Sequence, residues 1–414
     1  MRAALTGPLA ETIAGARAEA VIRACVHCGM CNAVCPTFQL TGDELDGPRG
    51  RIYLMKGALE GEPVTAETRL HLDRCLECRA CETACPSGVE YHRLLDVGRP
   101  FVEAKVGRPW WDRVQRGLIR WLATDAGRFG LTLALGRALA WALPAPLRKK
   151  LPKAPLGPSD RSPRGGERAT MPAMEGTRRM TLLAGCVQAA AAPQFNAAAK
   201  RVFAKAGVAL AESPRAGCCG AVSFHLDAPE EAKTLARRNI DAWIAETDAG
   251  AQAVVVTASG CAAFIKDYPD LLADDPAYAA KARRIADLVR DPVEVLETAS
   301  LGPAHAPAEP RIAVQDPCTL RNGLRLGGRV EALLRRLGYE PQPVRDAHLC
   351  CGSAGPYALT QPAFANALRT LKLAALTEHA PAAICTANIG CWMHLAETSP
   401  VPVRHWIEAV DDVT

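Results

Sequence analysis

The pattern of apolar and polar residues changes near the middle of the chain. From Met180 onward, apolar runs of strand length alternate with segments of helical periodicity, as in "AVVVTASGC", which ends at Cys261. This alternation is typical of an α/β fold, in which strands and helices follow one another along the chain. The pattern therefore predicts an α/β region from residue 180 onward.

The N-terminal part of the chain predicts helices. Pro48 lies near the first turn of a helix through "RGRIYLMKGALEG", and Asp46 is its expected N-terminal cap. Ile52, Met55 and Leu59 fall on one face of this helix. We expect that face to pack against the core.

Residues 101–150 are rich in Trp and Arg and have helical periodicity. The apolar stretch from Leu131 to Leu143 is interrupted by Arg137, so it is too short and too charged to span a bilayer. Tryptophans among arginines are typical of helices at a membrane interface. These tryptophans are Trp110, Trp111, Trp121 and Trp141. The alternative is that the segment packs against the protein's own domains or a partner protein.

The chain from Cys186 onward repeats itself. Cys318 lies 132 residues after Cys186, and the "CCG" at Cys350 lies 132 residues after the "CCG" at Cys218. Cys391 follows Cys261 at an offset of 130. Three cysteine landmarks at nearly one offset indicate a duplicated module.

Composition divides the chain into five segments. A stretch dense in Pro, Gly and Arg has the composition of a linker. The predicted segments are a cysteine-rich domain at 1–100, an amphipathic helical segment at 101–150, the linker at 151–179, and the modules at 180–300 and 301–414. The predicted fold class is α plus α/β, a helical N-terminal domain followed by a duplicated α/β module.

Cysteine is the unusual component, with 17 residues in 414. Glu11, Arg17 and Glu19 interrupt any apolar run at the N-terminus, so no secretion signal is predicted. We therefore expect a cytoplasmic protein, in which clustered thiols bind metal rather than form disulfides.

Charge is unevenly distributed. Residues 99–179 hold 17 Lys/Arg against 6 Asp/Glu, a balance of +11 in a chain of net charge +5. Such a block predicts an anionic partner, such as an acidic protein or the inner face of a membrane; a solvated basic linker is the alternative. No nucleic-acid-binding motif is present.

The N-terminal cysteines have the spacing of iron–sulfur ligands. "CVHCGMCNAVCP" (25–36) and "CLECRACETACP" (75–86) each place three cysteines around one [4Fe–4S] cluster, and the fourth, before proline, serves the other cluster. The predicted ligand sets are Cys25, Cys28, Cys31 and Cys85 for one cluster, and Cys75, Cys78, Cys81 and Cys35 for the second. A zinc site is disfavoured because its paired cysteines usually lie well apart.

Each module brings four further thiols toward the carboxyl edge of its predicted sheet, where α/β folds bind ligands. The glycine after each cysteine pair permits a close backbone approach. The candidates are Cys186, Cys218, Cys219 and Cys261 in the first module, and Cys318, Cys350, Cys351 and Cys391 in the second. We expect them to hold a further iron–sulfur cofactor or to form an electron exit; the alternative is that they only pack.

These motifs together resemble the iron–sulfur subunit family of bacterial glycolate oxidase (glycolate dehydrogenase). The quoted cysteine runs, "TFQLTGDELDGPRGRIYLMKG" and the two "CCG" modules carry the resemblance over nearly the whole chain. It implies a helical ferredoxin domain with two [4Fe–4S] clusters and a pair of cysteine-rich domains. It also implies flavoprotein partners that carry FAD and oxidise the hydroxy acid. The final electron acceptor is left open by the sequence, and a membrane quinone is one candidate.

The sequence agrees with an electron carrier that has no catalytic residues of its own. It contains neither a G-x-G-x-x-G nor a G-x-x-x-x-G-K-[ST] motif, so FAD is expected on partner subunits only. The chain is similar, more distantly, to iron–sulfur subunits of lactate utilisation and of glycerol-3-phosphate dehydrogenase, and to heterodisulfide reductase. A thiol–disulfide enzyme of the last kind is a rival hypothesis, but its C-x-x-C is replaced here by Cys261 alone and by Cys385 with Cys391. A redox sensor is a third hypothesis.

Overall fold

The computed structural model describes residues 1–141 and 178–414. The N-terminal part consists of helices, with short 3₁₀ turns at Pro8–Glu11, Met30–Asn32 and Glu44–Asp46. The helices are α1 (Ile13–Ala24), α2 (Pro36–Thr41), α3 (Pro48–Leu59), α4 (Ala66–Asp73), α5 (Ala80–Thr83), α6 (Tyr91–Val106), α7 (Trp110–Ala123) and α8 (Ala126–Ala138).

Helix α3 confirms one sequence prediction and corrects another. It begins at Pro48, whose fixed φ suits the first helical position, and Ile52, Met55 and Leu59 are buried as predicted. Asp46 does not cap it: Gly47 is the N-cap residue, and no side chain bonds there. The Asp46 carboxylate is fully buried and instead contacts the His71 imidazole of α4 and the guanidinium of Arg74, the residue after α4. A buried carboxylate requires such hydrogen-bonding and charged partners.

A single apolar core joins α1, α3, α4 and α6. It contains Ile22, Met55, Leu72 and Leu94, and the partly buried Cys31, Cys75 and Cys85 pack against it. Helix α6 continues to Val106, so the predicted boundary at residue 100 lies inside a helix.

The C-terminal part forms two four-stranded parallel sheets of the same topology. The first has the order β2-β1-β3-β4 and the second the order β6-β5-β7-β8. The strands are β1 (Arg178–Leu182), β2 (Val208–Glu212), β3 (Val254–Val255), β4 (Val289–Arg290), β5 (Arg311–Gln315), β6 (Glu340–Gln342), β7 (Ala383–Thr386) and β8 (Val403–His405). Register is parallel throughout, for example Leu182 with Val255 and Val314 with Cys385. The predicted α plus α/β class is thus confirmed.

Helices cover both sheets, as a parallel sheet buried on two faces requires. In the first module they are α9 (Val187–Ala191), α10 (Pro193–Lys205), α11 (Ala221–His225), α12 (Pro229–Asp248), α13 (Ser259–Lys266), α14 (Tyr268–Leu271), α15 (Ala279–Leu288) and α16 (Pro292–Leu296). In the second they are α17 (Arg329–Arg336), α18 (Tyr357–Thr360), α19 (Pro362–Thr377), α20 (Ile389–Ala396) and α21 (Trp406–Val413), with a π-helical turn at Thr319–Gly323.

The two modules share a core. Met180, Val202 and Phe203 of the first pack in one cluster with Val330 and Trp406 of the second. Buried Ser259 of the first module also hydrogen-bonds Thr319 of the second through their hydroxyls, 2.8 Å apart. The duplicated units therefore form one continuous body.

Helices α7 and α8 rest on the first module by one face only. Arg108 and Arg116 each bind the Asp227 carboxylate at 2.9 Å, and Leu133 packs with Ala191. The opposite face is apolar and exposed; it carries Trp110, Trp111, Val114, Leu118, Trp121, Leu131, Leu135 and Leu139. One face of this helix pair therefore packs on the protein's own domain, as one alternative predicts. The other face is apolar and exposed, as a membrane-interface helix would be. The rest of the predicted segment, 142–150, and the linker to residue 177 lie outside the described residues.

Candidate iron–sulfur sites

A first cavity opens where the first cysteine run meets the end of the second. Cys25 follows the last residue of α1, Gly29 turns the chain in the left-handed conformation (φ 83°), and Cys31 follows on a 3₁₀ turn. Cys85 reaches the same cavity just before Pro86. Its cysteine lining is Cys25, Cys28, Cys31, Cys81 and Cys85. All four members of the first predicted ligand set meet here.

A second cavity adjoins it. Its cysteine lining is Cys35, Cys75, Cys78 and Cys81, which is the second predicted ligand set. Cys35 is the N-cap residue of α2, and Cys81 lies in α5. Glu77 and Arg79, on either side of Cys78, adopt positive φ angles of 54° and 55° and wind the run around the cavity.

The protonation of these thiols fits a metal-thiolate group. Burial raises the pKa of Cys31 to about 11, and it also raises the pKa of Cys75 and Cys78. Burial therefore favours the neutral form of these three thiols, whereas iron deprotonates the sulfur it binds. Each cavity is lined by the four soft thiols of its predicted set, with Cys81 lining both, and this is the type of donor that iron–sulfur clusters use.

The first module gathers its four candidate thiols at the carboxyl edge of the sheet. Gly220 has a φ of 94°, and a side chain there would contact the Ala232 carbonyl oxygen at 3.1 Å. This close turn buries the preceding pair, Cys218 and Cys219. Hydrogen bonds from Cys186 and then Cys219 lower the pKa of Cys218 well below its usual value. Cys261 completes the group by its contact with Cys219.

The second module repeats the arrangement. The Cys318 and Cys350 sulfurs are 3.8 Å apart, and those of Cys351 and Cys391 are 3.2 Å apart. Gly352 has a φ of 89°, and an added Cβ would meet the Ala365 carbonyl oxygen at 2.5 Å. The apolar run that ends at the last cysteine of each module predicts that this cysteine closes a strand, and the structure differs. Cys261 and Cys391 do not close a strand but lie in the first turn of the following helix.

The second cavity touches the second module directly. Cys78 packs with Cys318 and Cys350 in one small apolar cluster. Asn322 Nδ2 donates to the Cys78 carbonyl at 2.8 Å, and Asn322 Oδ1 accepts from the Thr83 hydroxyl at 3.0 Å. The first module contacts the same loop through charge instead, with His225 Nδ1 2.7 Å from the Glu77 carboxylate.

Sequence reasoning did not identify the polar groups around the second cavity. Arg51 is buried there, and it donates to the Thr37 hydroxyl, which lies 3.3 Å from the Cys35 sulfur. A signal was available in the pattern, since Arg51 sits next to Ile52 and one helical turn before Met55 on the buried side of α3. Thr37 and Asn322 left no such signal, because their roles depend on contacts between distant parts of the chain.

Among the described residues, no helix is both long enough and apolar enough to cross a membrane.

Comparison with known families gives the same organisation. A family described as a 4Fe-4S dicluster domain matches residues 21–89, and one described as a cysteine-rich domain matches residues 180–266 and 312–396. The fold and the thiol groups therefore define an iron–sulfur protein in which a dicluster domain precedes two cysteine-rich domains.

Comparison with individual proteins identifies the family more closely. The chain is 46% identical to the glycolate oxidase iron-sulfur subunit of Escherichia coli over 99% of this chain and 98% of that protein. It is 30% identical to the probable glycolate oxidase iron-sulfur subunit of Bacillus subtilis over 90% of this chain and 87% of that protein. Lactate utilization protein A of Bacillus licheniformis is 29% identical, but over only 47% of this chain and 82% of that protein. The chain belongs to the glycolate oxidase iron–sulfur subunit family, which confirms the resemblance found in its motifs.

Proposed function

We propose that this protein is the electron-transfer subunit of a glycolate oxidase complex. A flavoprotein partner, carrying FAD, would oxidise glycolate to glyoxylate, and this chain would take its electrons. The proposed ligands are Cys25, Cys28, Cys31 and Cys85 for one [4Fe–4S] cluster, and Cys75, Cys78, Cys81 and Cys35 for the other. The observation that carries the proposal is that each of these sets lines its own cavity. Full-length similarity to proteins named glycolate oxidase iron-sulfur subunit supports the substrate.

The positions of the proposed ligands suggest a route for the electrons through the chain. A [4Fe–4S] cluster, when bound, accepts and releases one electron at a time, whereas a flavin collects two. Cys28 is exposed and brings the first cavity to the protein surface. Cys81 lines both cavities, so the two sites are neighbours. Cys78 holds the second cavity against the second module. The proposed path therefore runs from the surface at Cys28 inward.

We propose that the thiol groups of the modules hold a further iron–sulfur cofactor or form the electron exit. Their adjacent buried thiols, and the apolar cluster that Cys78 shares with Cys318 and Cys350, support this role. A thiol–disulfide enzyme is not favoured. Cys385 lies on β7, where burial raises its pKa to about 12. Five residues separate it from Cys391, so the two do not form a C-x-x-C.

The exposed face of α7 and α8 is proposed to contact the anionic inner surface of the cell membrane, where a quinone could accept the electrons. Its tryptophans and apolar residues, together with the basic block at 99–179, support this placement. A flavoprotein docking there is the alternative. A lactate dehydrogenase subunit is not favoured, because the lactate utilization relatives match less than half of the chain.

The proposal is tested by co-purification and turnover. The tagged chain, purified without oxygen beside its flavoprotein partners, should contain about eight irons from the N-terminal cysteines. Glycolate should reduce these clusters in the complex, while lactate and glycerol 3-phosphate serve as substrate controls. A chain that holds zinc, or clusters that glycolate leaves oxidised in a complete complex, would contradict it.

A further inference from the structure

Two arginines of helix α3 face the two cavities and differ in their surroundings. Arg49 lines the first cavity and Arg51 the second. Arg49 is exposed, at 36% of its side chain, and its guanidinium binds the Glu44 carboxylate at 2.6 Å. Arg51 is 1% exposed. The same helix thus supplies one cation neutralised at the surface and one enclosed in the protein.

The guanidinium of Arg51 is held by neutral groups. Its Nε donates to the His71 carbonyl at 2.7 Å, and both Nη atoms donate to the Thr37 hydroxyl at 3.1 Å. That hydroxyl lies 3.3 Å from the Cys35 sulfur. One hydrogen-bonded atom therefore separates the cation from a thiol of the second cavity.

The nearest carboxylate leaves the charge of Arg51 partly uncompensated. Asp46 Oδ1 is 3.7 Å from Nη2, beyond hydrogen-bond range. Asp46 is already bound by His71 Nδ1 at 2.8 Å and by Arg74 Nη1 at 2.9 Å. With Arg51, Arg74 and Asp46 ionised, this group carries one net positive charge, whereas Arg49 with Glu44 carries none. An arginine guanidinium stays protonated in proteins, so burial does not remove this charge.

We propose that Arg51 sets the reduction potential of the cluster at the second cavity and makes that cluster the easier one to reduce. A buried positive charge stabilises the reduced cluster, which is more negative by one electron, because the low-dielectric interior screens it poorly. The electron is thereby drawn to the cavity that abuts the second module. Arg51 acts here as a tuning residue and not as a ligand. This inference rests on the proposed function, since it requires a cluster at each cavity.

The test is an anaerobic redox titration of the isolated full-length chain, with each cluster followed by electron paramagnetic resonance and no flavoprotein present. Arg51→Met should lower one of the two midpoint potentials, with at least a tenfold fall in the reduced-to-oxidised ratio at fixed potential, about 59 mV for one electron. Arg49→Met is the matched control; because solvent screens the charges of its surface pair with Glu44, it should move either midpoint much less than Arg51→Met moves the second. Arg51→Lys keeps the charge and should lower the midpoint less than Met does.

Results that contradict the tuning role of Arg51 can be told apart from simple loss of the cluster. Unchanged midpoints in Arg51→Met, or an equal shift in Arg49→Met, would overturn it. If Met and Lys both lose the second cluster, Arg51 builds the site and does not tune it. If only Met loses iron, Asp46→Asn is measured; removing that negative charge should raise the same midpoint, and no rise overturns the inference. A wild-type chain without two clusters would instead contradict the proposed function.

Discussion

Cysteine residues of similar burial have different surroundings in the second module. Cys351 lies 3.2 Å from the Cys391 sulfur, whereas Cys385 is equally buried on β7 but belongs to no thiol group. The same chain therefore offers both a candidate ligand and a matched structural cysteine. Because serine is close to cysteine in size but binds iron poorly, exchanging one for the other separates cofactor binding from packing.

We predict that the Cys218→Ser, Cys351→Ser double variant loses glycolate-dependent reduction of an external acceptor. Flavin reduction in the partner and the signals of the two N-terminal clusters should persist, because their ligands lie elsewhere. Cys385→Ser should cost about 1–3 kcal/mol of stability as a buried polar substitution and leave acceptor reduction intact. Acceptor reduction at the wild-type rate in the double variant would mean that the modules serve as scaffold.

At the scale of single residues, the sequence predicted the grouping of the cysteines better than the contacts of the polar residues around them. Cysteine spacing is local, so the two N-terminal sets follow from the short runs themselves. The groups that hold Asp46 come from α3, α4 and the residue after α4, and no local pattern connects them. Asp46 was consequently predicted as a helix cap, the usual role of an aspartate just before a helical proline.

Among the elements, helices α7 and α8 differ most from a simple buried pair. Arg116 of α7, and Arg108 just before α7, bind the first module, while the tryptophans of α7 and the exposed leucines of both helices face away from it. Periodicity predicted the helices but could not decide which partner each face would have. The strands were predictable because a run buried on both faces reads as continuous apolar sequence.

We predict that the exposed face of α7 binds anionic vesicles. The wild-type chain should float with vesicles containing acidic lipid, and the Val114→Glu, Leu118→Glu variant should not, because two charges oppose insertion of the apolar face. Leu371→Glu on α19 is the control, since that side chain is 51% exposed against 60% and 54% for the other two. Flotation unaffected by the double substitution would remove the membrane contact and leave protein docking as the role of this face.

Across the whole molecule, charge joins the N-terminal helices to the first module. Arg79 binds Asp267, Arg93 binds Asp270 at 2.8 Å, and Arg108 binds Asp227. The sequence predicted the order of the domains and their repeat, since both appear as patterns along the chain. Their docking was not predictable, because each pair joins residues more than 100 positions apart.

We predict that Asp227→Asn lowers the free energy of unfolding by about 2 kcal/mol, since it removes charge-assisted bonds to two nearly buried arginines. Asparagine also tolerates the positive φ of 59° at this position, so backbone strain is not added. Thermal unfolding under anaerobic conditions measures the effect. Asp248→Asn, which breaks an exposed pair with Arg284, should change stability by about 0.5 kcal/mol or less. Equal losses of unfolding free energy in the two variants would show that the buried ion pairs stabilise the fold no more than the exposed pair does.

The exposure of Cys28 has a further consequence for oxidative damage to the protein. It is the exposed one of the 17 cysteines, all of which lie in the described residues. Dissolved oxygen and peroxide attack thiolates in proportion to their access. We therefore expect oxidation to begin at Cys28, at the surface of the first cavity, before it reaches the second cavity. On the proposed path of electron transfer, air exposure would first disconnect the chain from its electron donor and leave the second site intact.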